Sequence, residues 1–225
     1  MPDIKTIKVN EQYYNIKDSN AVDLTTNQEV DGIKTFIERP RFGVYHVPDT
    51  FEELDYIITN GSSYINTNHK YNTNEKIILT FQQNNTSTYR IWGTFNQSGY
   101  SGQNVSMTYS SGWCVRYETT TTQARLVALT SIDTKKHTLI IENDGSIYFD
   151  GNSYGKSAGY TANFTFNYNA YLGTINPGGT TPSANLQGRL YYYAVIDSNG
   201  DFIQEMYPAK RKSDSAVGMY DVEND

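Results

Sequence analysis

The stretch Lys136-His-Thr-Leu-Ile-Ile-Glu-Asn-Asp-Gly-Ser-Ile-Tyr-Phe149 decides how this chain folds. Two β-rich runs flank Asn143-Asp-Gly145, and Asp-Gly supplies the positive φ that a tight hairpin requires. Asp150-Gly151-Asn152 follows at once as a second turn, so the segment reads strand, turn, strand, turn. Upstream, residues 76–82 alternate around Ile77, Leu79 and Phe81, with Ile78 and Thr80 on the other face. Strand signals recur at 90–95, 105–109, 113–117 and 126–129. In the third of these Trp113, Val115 and Tyr117 share one face, and Cys114 and Arg116 the other. Downstream come Tyr171-Leu-Gly173, residues 186–196, the turn Asp197-Ser-Asn-Gly200, and residues 202–206. Short strands and turns at regular spacing, with little helix, predict an all-β fold, an antiparallel two-sheet sandwich. No repeat of about 20–50 residues is visible. The polar tracts at 83–88 and 119–122 read as loops.

Composition agrees. The chain has 225 residues, with 20 Tyr and 9 Phe among abundant Thr and Asn, which suits pleated, half-buried surfaces. A domain of about 170 residues buries roughly 70% of its unfolded surface and needs no disulfide or metal. The one cysteine, Cys114, can make no internal disulfide. The formal charge of −6 argues against a nucleic-acid partner. Lys210-Arg211-Lys212, the one basic cluster, reads as a solvated loop. Met1-Pro-Asp-Ile-Lys5 lacks the apolar core of roughly 7–15 residues that a secretory signal needs. No run approaches the roughly 20 apolar residues of a membrane helix, so a soluble chain without membrane insertion is expected.

Residues 1–48 stand apart from the sandwich, which is expected over 49–225. Strand signals at 4–9 and 13–16 flank Asn10-Glu11, a small hairpin that is marginal alone in water. Asp31-Gly32 can turn the chain again, and Val30, Ile33 and Phe36 then supply more apolar surface than one hairpin buries. Tyr13, Ile16, Val30, Ile33 and Phe36 would have to dock on a partner, on another copy or on the sandwich, and the first two of these make them the expected attachment and oligomerisation residues. Pro40 and Pro48 mark a connector, since neither suits a central strand.

The chemistry of an enzyme is not evident. Glycoside hydrolysis needs two carboxylates flanking the scissile bond. The nearest pattern, Glu53-Leu-Asp55-Tyr-Ile-Ile58, has Ile58 where the further acid would stand, so Glu53 and Asp55 read as surface charges. Cys114 reads as a small core residue. His46, His69 and His137 sit in unrelated contexts, and no Gly-x-Ser-x-Gly elbow occurs. Asp197-Ser-Asn199-Gly-Asp201 lacks the calcium loop's later glycine and glutamate and reads as a turn. Asp150 and Asn152 offer two oxygen ligands where calcium takes about six to eight. No catalysis, metal or cofactor is expected. A sugar site needs an aromatic face and planar polar groups. Asn96, Gln97 and Tyr100 in a loop, with Arg116 on a concave face, are the candidate glycan-binding residues. Trp92 and Trp113 lie in strand-like runs and are expected in the core.

Two end segments carry a resemblance. Within Phe51-Glu-Glu-Leu-Asp-Tyr-Ile-Ile-Thr-Asn-Gly-Ser-Ser-Tyr-Ile-Asn-Thr67, residues Gly61, Tyr64, Ile65 and Thr67 match one pattern. Within Tyr207-Pro-Ala-Lys-Arg-Lys-Ser-Asp-Ser-Ala-Val-Gly-Met-Tyr-Asp221, residues Pro208, Ala209, Arg211, Gly218, Tyr220 and Asp221 match another. These resemble the opening and closing segments of laminin-G-like, concanavalin A-like jelly-roll domains on bacteriophage structural proteins. His137-Thr-Leu, Asp144-Gly and Ile147-Tyr-Phe-Asp-Gly151 resemble the laminin-G hairpin signature. Lys8-Val-Asn-Glu-Gln-Tyr-Tyr-Asn-Ile-Lys-Asp18 and Thr26-Asn-Gln-Glu-Val-Asp-Gly-Ile-Lys-Thr-Phe36 resemble segments of phage fibre and tail proteins. The resemblance implies a head fibre, capsid decoration or short tail appendage on the virion surface. Its N-terminal segment would meet capsid or tail proteins as a homotrimer, and its sandwich would hold host-surface or mucosal glycans. Two readings stay open beside it: a purely structural capsid decoration without ligand, and a bacterial cell-surface carbohydrate-binding protein. The second would be expected to carry a signal peptide or lipobox.

Overall fold

A computed structural model describes residues 6–9, 12–15, 46–87, 89–95, 104–109, 112–118, 126–158, 160–178, 181–182 and 185–224. The chain divides into two compact units, 1–46 and 47–225. In the first, Thr6–Val9 (β1) and Gln12–Asn15 (β2) pair antiparallel, with Lys8 opposite Tyr13. Tyr13 thus lies in the expected hairpin, whose strands are offset slightly from 4–9 and 13–16. Ile16, Val30, Ile33 and Phe36 lie outside the described residues.

The second unit is the expected antiparallel two-sheet sandwich. Its strands begin with Phe51–Glu53 (β3), Ile57–Asn60 (β4), Ile65–Asn66 (β5), Lys76–Gln83 (β6) and Trp92–Thr94 (β7). Asn104–Tyr109 (β8), Trp113–Glu118 (β9), Leu126–Ala128 (β10), Lys136–Ile141 (β11) and Ser146–Phe149 (β12) follow. Asn152–Lys156 (β13), Tyr171–Leu172 (β14), Gln187–Ile196 (β15), Phe202–Arg211 (β16) and Val217–Asp221 (β17) complete it. One sheet has six strands in the order β10-β9-β8-β7-β14-β5. The other has nine, β13-β12-β11-β6-β15-β16-β17, with β4 beside β15 and β3 beside β16. The hairpin at Asn143-Asp-Gly145 forms as read, joining β11 to β12. No helix occurs among the described residues, so none is long and apolar enough to cross a membrane.

Alternation dictates the core. Ile77, Leu79 and Phe81 of β6, Leu139 and Ile141 of β11, and Leu190, Tyr193 and Val195 of β15 are buried on one inner face. Trp92, Trp113, Val115 and Leu172 are buried on the other. The sheets meet where the Phe81 ring stands edge-on to Trp113 at 5.1 Å. Such a pair adds about 0.5–1.5 kcal/mol beyond the area it buries. Trp92, Trp113 and Cys114 are core residues, as expected.

Two departures from simple alternation matter. A bulge between Leu190 and Tyr192 breaks the register of β15 against β6. It lets Tyr191 and Tyr192 both stand half-buried on the outer face while Tyr193 turns inward and is fully buried. Strand β16 also continues past residue 206 to Arg211, through Pro208. Proline lacks an N–H, but its carbonyl still accepts the Leu54 N–H at 2.8 Å, so the ladder passes it. Beside it, Val47, Tyr207 and Ala209 form a smaller core under Phe51, Tyr192, Tyr220 and Val222.

Candidate functional site

The outer face of the six-stranded sheet gathers the residues best suited to a ligand. Cross-strand registers fix its central row. Asn66 lies opposite Tyr171, Tyr171 opposite Gly93, Gly93 opposite Ser106, and Ser106 opposite Arg116. The neighbouring row, with Leu172, Trp92 and Val115, is buried in the core. Period-two alternation therefore turns Tyr171 and Arg116 outward. Gly93, at φ +128°, sits between them in a conformation that a side chain rarely adopts.

Two aromatic groups stand on this face. The Tyr64 ring stacks on Tyr171 with centroids 4.7 Å apart and planes 15° apart, and Tyr64 is exposed. Burial first, and then the adjoining Tyr64 phenol, push the Tyr171 hydroxyl's pKa up, so it remains a neutral donor and acceptor near neutral pH. The Asn66 Oδ1 accepts the Asn68 N–H at 2.9 Å and the Asn169 side-chain amide at 3.3 Å, which fixes the plane of that amide beside Tyr171. Two residues beyond Gly93, the Phe95 ring carries the Arg116 guanidinium at 5.0 Å from its centroid. Rings with a free face take the C–H surface of a sugar, and flanking amides and guanidinium groups take its hydroxyls.

Of the sequence candidates, Arg116 is placed on this face. Asn96, Gln97 and Tyr100 follow Phe95 directly in the chain but lie outside the described residues. Tyr64, Tyr171 and Phe95 are additions. Tyr64 reaches Tyr171 from the loop before β5, a meeting that no local pattern announces. The remaining sequence features are engaged within the protein. Lys210 lies 3.7 Å from Glu52, Lys212 donates to the Asp49 carbonyl at 2.7 Å, and Arg211 holds Asp214 through two contacts. Asp150 accepts the Thr138 N–H at 2.9 Å and faces His137 at 2.7 Å, while Asn152 donates weakly to the Asp150 carbonyl at 3.4 Å. Among the described residues no three of His, Cys, Asp and Glu gather as a metal would require. Glu53 is half-buried in β3 beside β16, and Asp55 is exposed.

No family model and no curated protein matches this chain. Solved structures do match it in fold. The mouse laminin alpha1 chain, domains LG4-5, matches at 15% identity and TM-score 0.48, over 68% of this chain and 43% of that one. This chain thus spans less than half of the laminin chain. The CBM40 of the Ruminococcus gnavus IT-sialidase matches at 11% identity and TM-score 0.45, over 64% of this chain and 90% of that one. The native heptameric SAP-like pentraxin from Limulus polyphemus matches at 11% identity and TM-score 0.40, over 73% and 84%.

Proposed function

We propose that this protein is a bacteriophage virion structural protein, a head fibre, capsid decoration or short tail appendage, whose lectin-like sandwich adheres to host-surface or mucosal glycans. The observation that carries the adhesive part is the outer face of the six-stranded sheet. There the Tyr64–Tyr171 stack and the Arg116–Phe95 pair lie on one outward face, beside the oriented amide of Asn66. These groups bind; they offer no paired acid and base for turnover.

The virion part rests on the end segments at 51–67 and 207–221 and on the fibre-like motifs near Tyr13 and Phe36. In this reading residues 1–45 anchor a homotrimer to capsid or tail proteins, and the sandwich faces outward. Many copies on one particle raise a weak single-site affinity. Immunogold electron microscopy with an antibody against residues 51–221 tests it on purified particles. Label around the shell indicates a head fibre or decoration, and label at the tail tip a receptor-binding appendage. Unlabelled particles overturn the virion reading and favour a bacterial surface protein.

A further inference from the structure

The opposite side of the molecule carries a second constellation that does not depend on the first. On the outer face of the nine-stranded sheet, Ile58 of β4 pairs with Arg189 of β15. Arg189 in turn pairs with Gln82 of β6, and Gln82 with Lys136 of β11. Four strands thus present one transverse row, Ile58–Arg189–Gln82–Lys136. The inner neighbours Phe81, Leu190 and His137 are buried, which turns this row to the outside.

Two tyrosines complete the row. The Arg189 guanidinium lies 4.4 Å from the Tyr56 ring centroid, and the Lys136 ammonium 4.6 Å from that of Tyr191. The two rings are 5.6 Å apart and tilted by 58°. Gln82 locks the centre. Its Nε2 donates to the Thr134 carbonyl at 2.8 Å. That fixes its Oε1 to accept from Tyr191 Oη at 2.6 Å and Arg189 Nη1 at 3.2 Å. Of the five N–H groups on Arg189, this contact uses one. Among the described residues neither Arg189 nor Lys136 has a carboxylate within 4.0 Å, although the chain carries a net charge of −6. Their backbones stand two strand spacings apart, about 10 Å. Ile58, 66% exposed, borders the row.

We infer that this row is a binding site for an acidic saccharide. Arg189 and Lys136 take its carboxylate or sulfate groups, and Tyr56 and Tyr191 take its ring faces. Two cations held against aromatic rings, with no carboxylate beside them among the described residues, match an anion, and the locked amide of Gln82 gives the site a fixed shape before any ligand arrives. A ligand with isolated charges on rigid rings suits two cations separated by aromatic surface. A nucleic-acid backbone, with closely spaced phosphates, would call for a longer basic track than this acidic protein displays.

The test is calorimetric titration of the full chain, in low salt, with four probes. These are a glucuronate-bearing hexasaccharide, a sulfated hexasaccharide, a neutral hexasaccharide and a single-stranded oligothymidine of matched charge. At least one acidic sugar should bind tenfold or more tighter than the neutral one, and which of the two does so identifies carboxylate or sulfate as the recognised group. R189Q and K136Q should each weaken that binding at least fivefold. K135Q, which removes the same charge from the neighbouring exposed position, should change it less than twofold. Equal affinity for neutral and acidic sugars overturns the proposal. So does acidic binding that survives both R189Q and K136Q in folded protein, or an oligothymidine affinity matching that of the acidic sugars.

Discussion

The Nδ1 of His137 stands 2.7 Å from Oδ2 of Asp150, on a ring buried in the core beneath Trp113 and stacked on Phe149 at 4.8 Å. Its Nε2 lies 2.8 Å from Oδ1 of Asp133, so one buried ring ties the loop before β11 to the turn after β12. Carboxylates only accept, so in each contact the ring nitrogen is the donor.

This clamp makes stability depend on acid. Burial opposes ionisation of Asp133, but the Lys135 N–H, the His137 ring and the nearby positive charges outweigh it and hold the carboxyl below its usual range. A depressed carboxyl contributes stability that is present above the ordinary carboxylate pKa of about 4 and is lost as pH falls through the folded value. D133N should lower unfolding stability at neutral pH by about 0.5–1 kcal/mol, because the carboxylate is partly exposed and screened by solvent. It should also flatten the acid limb of stability against pH. Urea melts from pH 2 to pH 7 would show both effects, and an unchanged acid limb would discount the clamp.

At the turn between β16 and β17, Arg211 Nε and Nη2 reach the two oxygens of Asp214 at 3.0 and 2.6 Å. That hydrogen-bonded pairing, helped by the Ala216 N–H, holds the Asp214 carboxyl down to about 2. Carboxyl-detected NMR titration should find its midpoint there. In R211Q the midpoint should rise toward the ordinary aspartate value of about 4. Because the pair is exposed, little global stability should follow it.

Gly188 sits in β15 between Thr59 of β4 and Gln83 of β6. A Cβ there would overlap the carbonyl oxygen of Gln82, a backbone atom that cannot swing away. G188A should cost about 3 kcal/mol, at the upper end for overpacking. Denaturant unfolding checks it, and a loss below about 1 kcal/mol would mean the strands can part locally without penalty.

Cys114 is 7% exposed and belongs to the core cluster. Its thiol should react with an aromatic disulfide reagent about a hundredfold more slowly in native protein than in urea, because the folded chain covers it and access requires a local opening around β9. Equal rates would place β9 among the freely opening segments.

Much of the scaffold is legible because one force dominates each element. Asp144-Gly145 turns the chain by backbone sterics alone, and the alternation of Ile77, Leu79 and Phe81 assigns the inner face of β6 by burial alone. Tyr191-Tyr192-Tyr193 is not legible in this way. Three identical neighbours give no period, and the bulge that seats Tyr193 inside is set by pairing with a strand far away in sequence. The binding faces follow the same rule. Arg116 could be picked out from its strand, whereas the stack of Tyr64 on Tyr171 and the row linking Arg189, Gln82 and Lys136 exist only once β5, β14, β15, β6 and β11 are in register. His137 shows why histidines in unrelated sequence contexts resist reading: its partners come from two turns on either side of a hairpin.

The central claim is adhesion to carbohydrate through the face bearing Tyr64 and Tyr171. The most direct measurement is a printed array of neutral glycans probed with the full chain and with Y64A and Y171A, each first shown to be folded by circular dichroism. The account predicts a restricted set of bound glycans and a loss of at least tenfold in signal for Y171A, with a smaller loss for Y64A. A chain that binds no glycan, or whose binding is untouched by both substitutions, would contradict it.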